Sequence, residues 1–345
     1  MILLRILLFP FACLFYLITQ IRNRLYDQGL KPSVKFDLPV VCVGNLTVGG
    51  TGKTPMIEHL IRLLQDDYKV ATLSRGYGRA TKGIRIGGPT EDASTLGDEP
   101  FQFYTKFGKR VTVAVGEERA LAIPMILQEH PETQVILLDD AFQHRKVTPG
   151  FSILLSDYHR PFYNDFLLPS GRLRESRWSA DRADVVVVTK CPHEISDDEM
   201  IAIEKSIRNY AEKPVFFTTI RHRSPIPFFN TIASMTQQIV LITGIGNSKP
   251  LEQYVKQNYT LVQHLAFRDH HMYTEKDIEA LITLRNSNPG ISFLTTEKDK
   301  VKLDAPQFQK IIRGLPLFYL PIEIDFIKGG KDFDEIVLNM IQRAQ

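Results

Sequence analysis

Cysteine is scarce in this chain. Of 345 residues only Cys13, Cys42 and Cys191 carry a thiol, far apart and outside any CxxC pattern. Their number and spacing exclude a disulfide framework and a zinc knuckle, and a reducing compartment is the simplest home for such a chain. An excess of one charge is lacking too. The balance of 42 Lys and Arg against 39 Asp and Glu leaves a formal net charge of +3, a weak excess that does not by itself announce nucleic acid, where a concentrated basic face would be expected, and that leaves the partner open. Low-complexity tracts and short-period repeats are absent. With 43% hydrophobic and 23% charged residues, the composition excludes collagen-like, disordered and polytopic membrane classes, and the length suits two compact domains.

Long hydrophobic runs are missing, with one exception. Residues 1–21, MILLRILLFPFACLFYLITQI, are apolar apart from Arg5, Pro10, Thr19 and Gln20, and Arg22 and Arg24 follow. About 20 helical residues would just cross a hydrocarbon core of ~30 Å, but Arg5 and Pro10 spoil a clean span, and no small-x-small cleavage site ends the run. We expect residues 1–24 to form a hydrophobic membrane-associated helix, with Phe9, Phe11, Phe15 and Tyr16 in the acyl boundary and Arg22 and Arg24 on anionic head groups. A buried core helix is the other reading of the same run.

From Leu38 the pattern changes to strand, glycine-rich turn and helix: LPVVCVGN, then a Gly/Thr-rich loop, then TPMIEHLIRLLQ. Further short apolar runs follow at 68–74, 109–115, 134–140, 151–157 and 184–190. Runs that are apolar on both faces predict a doubly wound, mostly parallel sheet covered by helices. The expected division is a P-loop catalytic domain over 25–220, a connector at 221–237, a smaller α/β domain over 238–330 and a C-terminal helix, 331–345, packing back onto the first domain.

Gly49, Gly50, Thr51, Gly52, Lys53 and Thr54 stand directly between the first strand and its helix. Backbone N–H groups in such a loop wrap a phosphate at the positive helix end, with Lys53 bridging the β- and γ-phosphates and the Thr54 hydroxyl ligating Mg²⁺. The usual pattern asks for glycine where Thr47 stands. Asp139 and Asp140 end the run VILLDD, as a Mg²⁺-organising acid requires, although paired acids after a strand also cap helices. Thr189-Lys190-Cys191-Pro192 lacks the aspartate of a guanine motif, so ATP is the expected nucleotide.

Polar clusters fall where βα-loops should lie, and taken in order they resemble a known family. VGNLTVGGTGKTP, RGYGR, GDEP, LLDDAFQHR, LPSGRLRE, FRDHH and TTEKDKVKL, spread over residues 43–303, are similar to the motifs of the tetraacyldisaccharide 4'-kinases of lipid A biosynthesis, which also carry a non-glycine residue at the first P-loop position. The resemblance implies transfer of the γ-phosphate of MgATP to the 4'-hydroxyl of a tetraacyldisaccharide 1-phosphate, giving lipid IVA at the cytoplasmic face of the inner membrane. A lipid acceptor and a membrane surface are then the expected partners, with no nucleic acid and no obligate protein partner.

The same resemblance implies that Asp98 and His270 form the base that takes the hydroxyl proton. It also implies that Arg75, Glu99, Arg174 and Glu175 serve the acceptor side or the closed cleft. Two departures from the family pattern stand out: Ala141 where the family has glycine, and the longer segment Gly244–Pro250, to which no contact is assigned. A P-loop switch or metallochaperone-type NTPase shares the loop and the acidic strand. Against it stand the missing guanine motif, the lack of clustered Cys/His ligands and the arginine-rich LPSGRLRE loop.

Overall fold

The computed structural model describes residues 2–229 and 234–344; the side chains of residues 2–6, that of Arg5 among them, and positions 230–233 of the expected connector lie outside that description. Among the described residues the strands form two sheets. The larger is built from β1 (Val40–Asn45), β2 (Val70–Ser74), β3 (Arg85–Ile86), β4 (Thr112–Val115), β5 (Val135–Asp139), β6 (Phe151–Asp157), β7 (Val185–Thr189) and β8 (Val215–His222). The smaller holds β9 (Ile226–Pro227), β10 (Gln238–Thr243), β11 (Thr260–Ala266), β12 (Ser292–Thr296) and β13 (Leu317–Leu320), after which β14 (Ile322–Lys328) returns to the larger.

The larger sheet runs β14-β8-β7-β6-β1-β5-β2-β4-β3. The seven strands from β8 to β4 are parallel, and the two edges pair antiparallel. Strands covered on both faces must be apolar throughout, and β1, β2, β5 and β7 are buried at every position. One face packs Ile123 and Ile126 of the helix Arg119–Glu129. The other packs Met56, Ile57, Leu60 and Leu64 of the helix Lys53–Leu64 with Phe333, Val337 and Ile341 of the C-terminal helix Gly330–Arg343. Because β5 lies on one side of β1 and β6 on the other, the winding reverses at β1, and a crevice opens outside its carboxyl end.

The chain re-enters the larger sheet earlier than the expected boundary at 330. Pro321 has no N–H to give a ladder, so it splits LPLFYLPIEIDF into β13, which stays in the smaller sheet, and β14, which pairs with β8. The segment 221–237 likewise contributes strand, since β8 runs to His222 and β9 pairs with β13.

The N-terminal helix Ile2–Asp27 docks through a stripe of small and polar residues, Ala12, Thr19 and Asn23, with Phe15 half-buried. Its opposite face leaves Phe9, Phe11, Leu14, Leu17, Ile18 and Ile21 exposed, the reverse of a helix that folds its apolar side into a core. Among the described residues no helix is long and apolar enough to cross a membrane. Arg22, expected on head groups, turns to the protein instead: it donates to the Gln143 carbonyl and lies 3.9 Å from Glu175. A fully buried carboxylate requires cations nearby, and that requirement outweighs solvation of Arg22.

Candidate active site

The phosphate loop links Asn45, the last residue of β1, to the helix beginning at Lys53. Gly52 caps that helix in the left-handed region at φ 83°, which a side chain would strain. Gly49 and Gly50 face open space, where a phosphate can meet the unpaired N–H groups of the helix start. Thr47 needs no glycine because its φ is not positive and it bridges Leu173 antiparallel. The Val48 N–H donates to the Arg172 carbonyl and the Arg174 N–H to the Leu46 carbonyl, so the LPSGRLRE segment runs along the loop as an added strand. From below, the Thr189 hydroxyl donates to the Thr51 carbonyl at 2.8 Å, and Lys190 donates to the Gly50 carbonyl while pairing with Asp157 at 2.7 Å.

Register between β1 and β5 places Asp139 beside Val43, at the mouth of the loop. Its Oδ2 accepts from the Ser74 hydroxyl at 3.3 Å, whereas Oδ1 is buried with no partner among the described residues. Burial first, then the negative charge of Glu99, push this carboxyl up to about 7, against the pull of Lys53. Asp140 takes the left-handed backbone at φ 49°. It lies 3.8 Å from Lys53 and accepts a forked pair of hydrogen bonds from Arg174 at 2.7 and 3.3 Å. Burial would raise it, but Lys53 and Arg174 outweigh burial and hold it below the ordinary carboxylate value. The left-handed turn thus falls on Asp140, and Ala141 has no positive φ to pay for.

An orphaned, buried carboxylate oxygen beside a phosphate loop fits a hard divalent cation. Among the described residues no three His, Cys, Asp or Glu side chains converge to hold a metal by themselves, so phosphate oxygens and water would have to complete the shell of a cation there.

Asp98 opens the helix Asp98–Phe107 after Gly97, whose φ of 93° and close approach to the Tyr77 carbonyl leave no room for a side chain. His270 comes from the part of the chain that builds the smaller sheet, in the loop after β11, also at a positive φ of 56°. The two meet: His270 Nδ1 lies 3.1 Å from Asp98 Oδ2. The His270 N–H donates to the Gly244 carbonyl at 3.2 Å, and the Gly244 N–H donates to Asp299 Oδ2 at 2.9 Å. The segment that departs from the family pattern therefore seats the histidine. Burial would raise the Asp98 carboxyl, but the hydrogen bond from His270 and the charges of Lys302 and Lys298 outweigh it and hold the group below its usual range.

The remaining expected residues divide. Glu99 faces Lys298 at 3.4 Å and acts on Asp139 through its charge. Arg174 joins Asn45 and Asp140 at the phosphate loop. Arg75 is exposed and makes no ion pair among the described residues, though its charge is felt by buried Arg119 behind the two aspartates. Glu175 sits apart, buried between Arg182 at 2.6 Å and Arg22. Sequence reasoning passed over Asn45, Arg119, Lys298 and Lys302. The available signal was TTEKDKVKL: Thr296 caps the helix Glu297–Leu303, and Lys298 and Lys302, four residues apart, share a helix face.

A cavity of about 520 Å³ opens between Leu8 of the N-terminal helix and the loops holding His159, Arg160, Asp165 and Arg172. Arg160, Asp165 and Arg172 also line the hollow against Gly49 and Gly50, so the two spaces share a wall of charged side chains.

Residues 4–342 match the family model described as tetraacyldisaccharide-1-P 4'-kinase. The chain is 44% identical to the tetraacyldisaccharide 4'-kinase of Flavobacterium johnsoniae, over 99% of this chain and 98% of that protein. With the enzyme of the same name from Bacteroides thetaiotaomicron it shares 39% identity, covering 97% and 93% of the two chains. It is similar as well to the crystal structure of LpxK from Aquifex aeolicus in complex with ATP, with a TM-score of 0.77 and 28% identity over 98% of this chain and 99% of that one.

Proposed function

From the premise that this chain belongs to the tetraacyldisaccharide-1-P 4'-kinase family, we propose an assignment of its residues to the steps of that reaction. The chain is an ATP-dependent kinase that transfers the γ-phosphate to the 4'-hydroxyl of tetraacyldisaccharide 1-phosphate, forming lipid IVA. Gly49 to Gly52 and the helix start cradle the phosphates, and Lys53 supplies a positive charge at the β- and γ-phosphates. Thr54, Asp139 and Asp140 are the residues that would hold Mg²⁺, which would supply neutralisation of charge on the phosphate oxygens. Asp140, fixed by Arg174, keeps Lys53 aimed at the loop.

Asp98 is the base. Its Oδ2 is committed to His270, which leaves Oδ1 for the acceptor. As the hydroxyl oxygen bonds to the γ-phosphorus, the bond to the ADP oxygen breaks and the hydroxyl proton passes to Asp98. His270 orients the carboxylate and shares the charge change. Most of the rate comes from positioning and charge stabilisation. Glu99 and Arg75 flank the acceptor side, and the basic cavity beside Leu8 admits the phosphorylated sugar while the exposed face of the N-terminal helix rests in the cytoplasmic surface of the inner membrane.

The observation that carries this assignment is the Asp98–His270 contact, made from two domains beside a phosphate loop. Its test is γ-phosphate transfer from MgATP to a tetraacyldisaccharide 1-phosphate in detergent micelles. Acceptor-dependent product that disappears in Lys53→Ala supports it, whereas ATP consumption without acceptor phosphorylation would point to a hydrolytic switch.

A further inference from the structure

Lys298 lies on the smaller domain and reaches across the cleft. Its Nζ stands 3.2 Å from His270 Nε2, 3.4 Å from Glu99 Oε1 and 3.7 Å from Asp269 Oδ1. An ammonium only donates, so the nitrogen it meets must be the lone-pair nitrogen of a neutral imidazole, and the other ring nitrogen must carry the proton. That proton then points along the 3.1 Å contact to Asp98 Oδ2. Four residues on, Lys302 is almost wholly buried, 2.9 Å from Asp299 Oδ1 and 3.7 Å from the same Asp98 oxygen. The ring of Tyr77, 5.2 Å from that of His270, closes the third side.

We propose that Lys298 is a positioning residue for the transfer step: it fixes His270 as the Nδ1–H tautomer aimed at Asp98 and ties that arrangement to Glu99 on the opposite domain. The proposal rests on the reading of Asp98 and His270 as the base pair and extends it to a residue outside that pair. A solvated surface lysine would do less. Asp269 and Glu99 are themselves partly exposed, and an ion pair of that kind contributes little, but neither would place an ammonium on a ring nitrogen. The groups meeting His270 are Asp98, Lys298, Asp269 from its own loop and the Tyr77 ring; behind them Glu99 meets Lys298, Lys302 meets Asp98 and Asp299 meets Lys302.

The test compares Lys298→Met and Lys298→Arg in the full-length enzyme, measuring kcat against pH at saturating MgATP and acceptor, and KM for ATP. With the cation removed, the protonated form of Asp98 becomes easier to reach, so the acidic limb of kcat moves to higher pH, by about half a unit or more. In Lys298→Met kcat falls about tenfold or more while KM for ATP stays within about twofold. Lys298→Arg, which keeps the charge, keeps the limb where the unaltered enzyme has it. A Lys298→Met profile that superimposes on the original with kcat little changed overturns the proposal, as does equal loss in both variants with the limb unmoved. If Asp98→Asn leaves kcat intact, the base reading itself has failed, whatever Lys298 does.

Discussion

At the scale of single residues, Asp98 and Asp139 lie in one crevice and are driven in opposite directions by their neighbours. Asp98 has cations and an imidazole N–H within reach, so it stays ionised and available as a base. Replacing it by asparagine keeps the shape and removes the base. Turnover is then expected to fall by about 10²- to 10⁴-fold with KM for ATP little moved, in steady-state kinetics with the lipid acceptor. Equal loss of ATP affinity would instead put Asp98 at the nucleotide. Asp139 is held up at about 7 by burial and by Glu99. Its ordinary value is about 4, so between roughly pH 4 and 7 the folded, ligand-free protein binds more protons than the unfolded chain, and stability must decline as pH rises through that window. Asp139→Asn should flatten that part of the curve in denaturant titrations at several pH values. A slope that survives the substitution belongs to another group.

At the scale of elements, the helices that carry Lys53, Asp98 and Lys298 are joined by one buried knot of charge. Lys106 lies 2.7 Å from both Glu58 and Glu297, and Gln102 donates to Glu58 at 2.9 Å. Lys106→Met leaves two largely buried carboxylates without their shared cation, a loss of about 3–5 kcal/mol that urea unfolding would read as a lower midpoint. No shift in midpoint would mean that Arg62, already 2.9 Å from Glu58, and water suffice without the lysine. This knot was invisible in sequence because Glu58, Lys106 and Glu297 are 48 and 191 residues apart and each sits in a helix that reads as ordinarily charged. What was legible was local: the strand–loop–helix around Gly52, the acids closing β5, the apolar runs of a parallel sheet. Asp98 and His270 were named only through resemblance, since nothing in the spacing of GDEP and FRDHH announces that they touch. The exit at Pro321 was obscured because two strands bound for different sheets are adjacent in one apolar run.

For the whole molecule, the organising fact is that side chains from both sheets meet over the crevice while a cavity opens beside a helix whose apolar face has no cover among the described residues. Docking through Ala12, Thr19 and Asn23 fixes that helix to the body, so on the proposed reading lipid contact would be presented at a set distance from the phosphate loop, and a membrane-held sugar would reach Asp98 without leaving the interface. The two faces of the helix separate experimentally. Leu14→Glu with Leu17→Glu alters only exposed positions, so thermal stability should hold. Burying each leucine in the acyl boundary is worth about 1.5–3 kcal/mol, so the double variant should lose about a hundredfold or more in partitioning to anionic vesicles by flotation. Turnover of acceptor dispersed in detergent micelles should persist, because the catalytic groups are untouched, while turnover of acceptor held in vesicles falls with binding. Flotation equal to that of the unaltered protein would mean that the exposed face meets something other than lipid, and a protein partner would then be the occupant to seek.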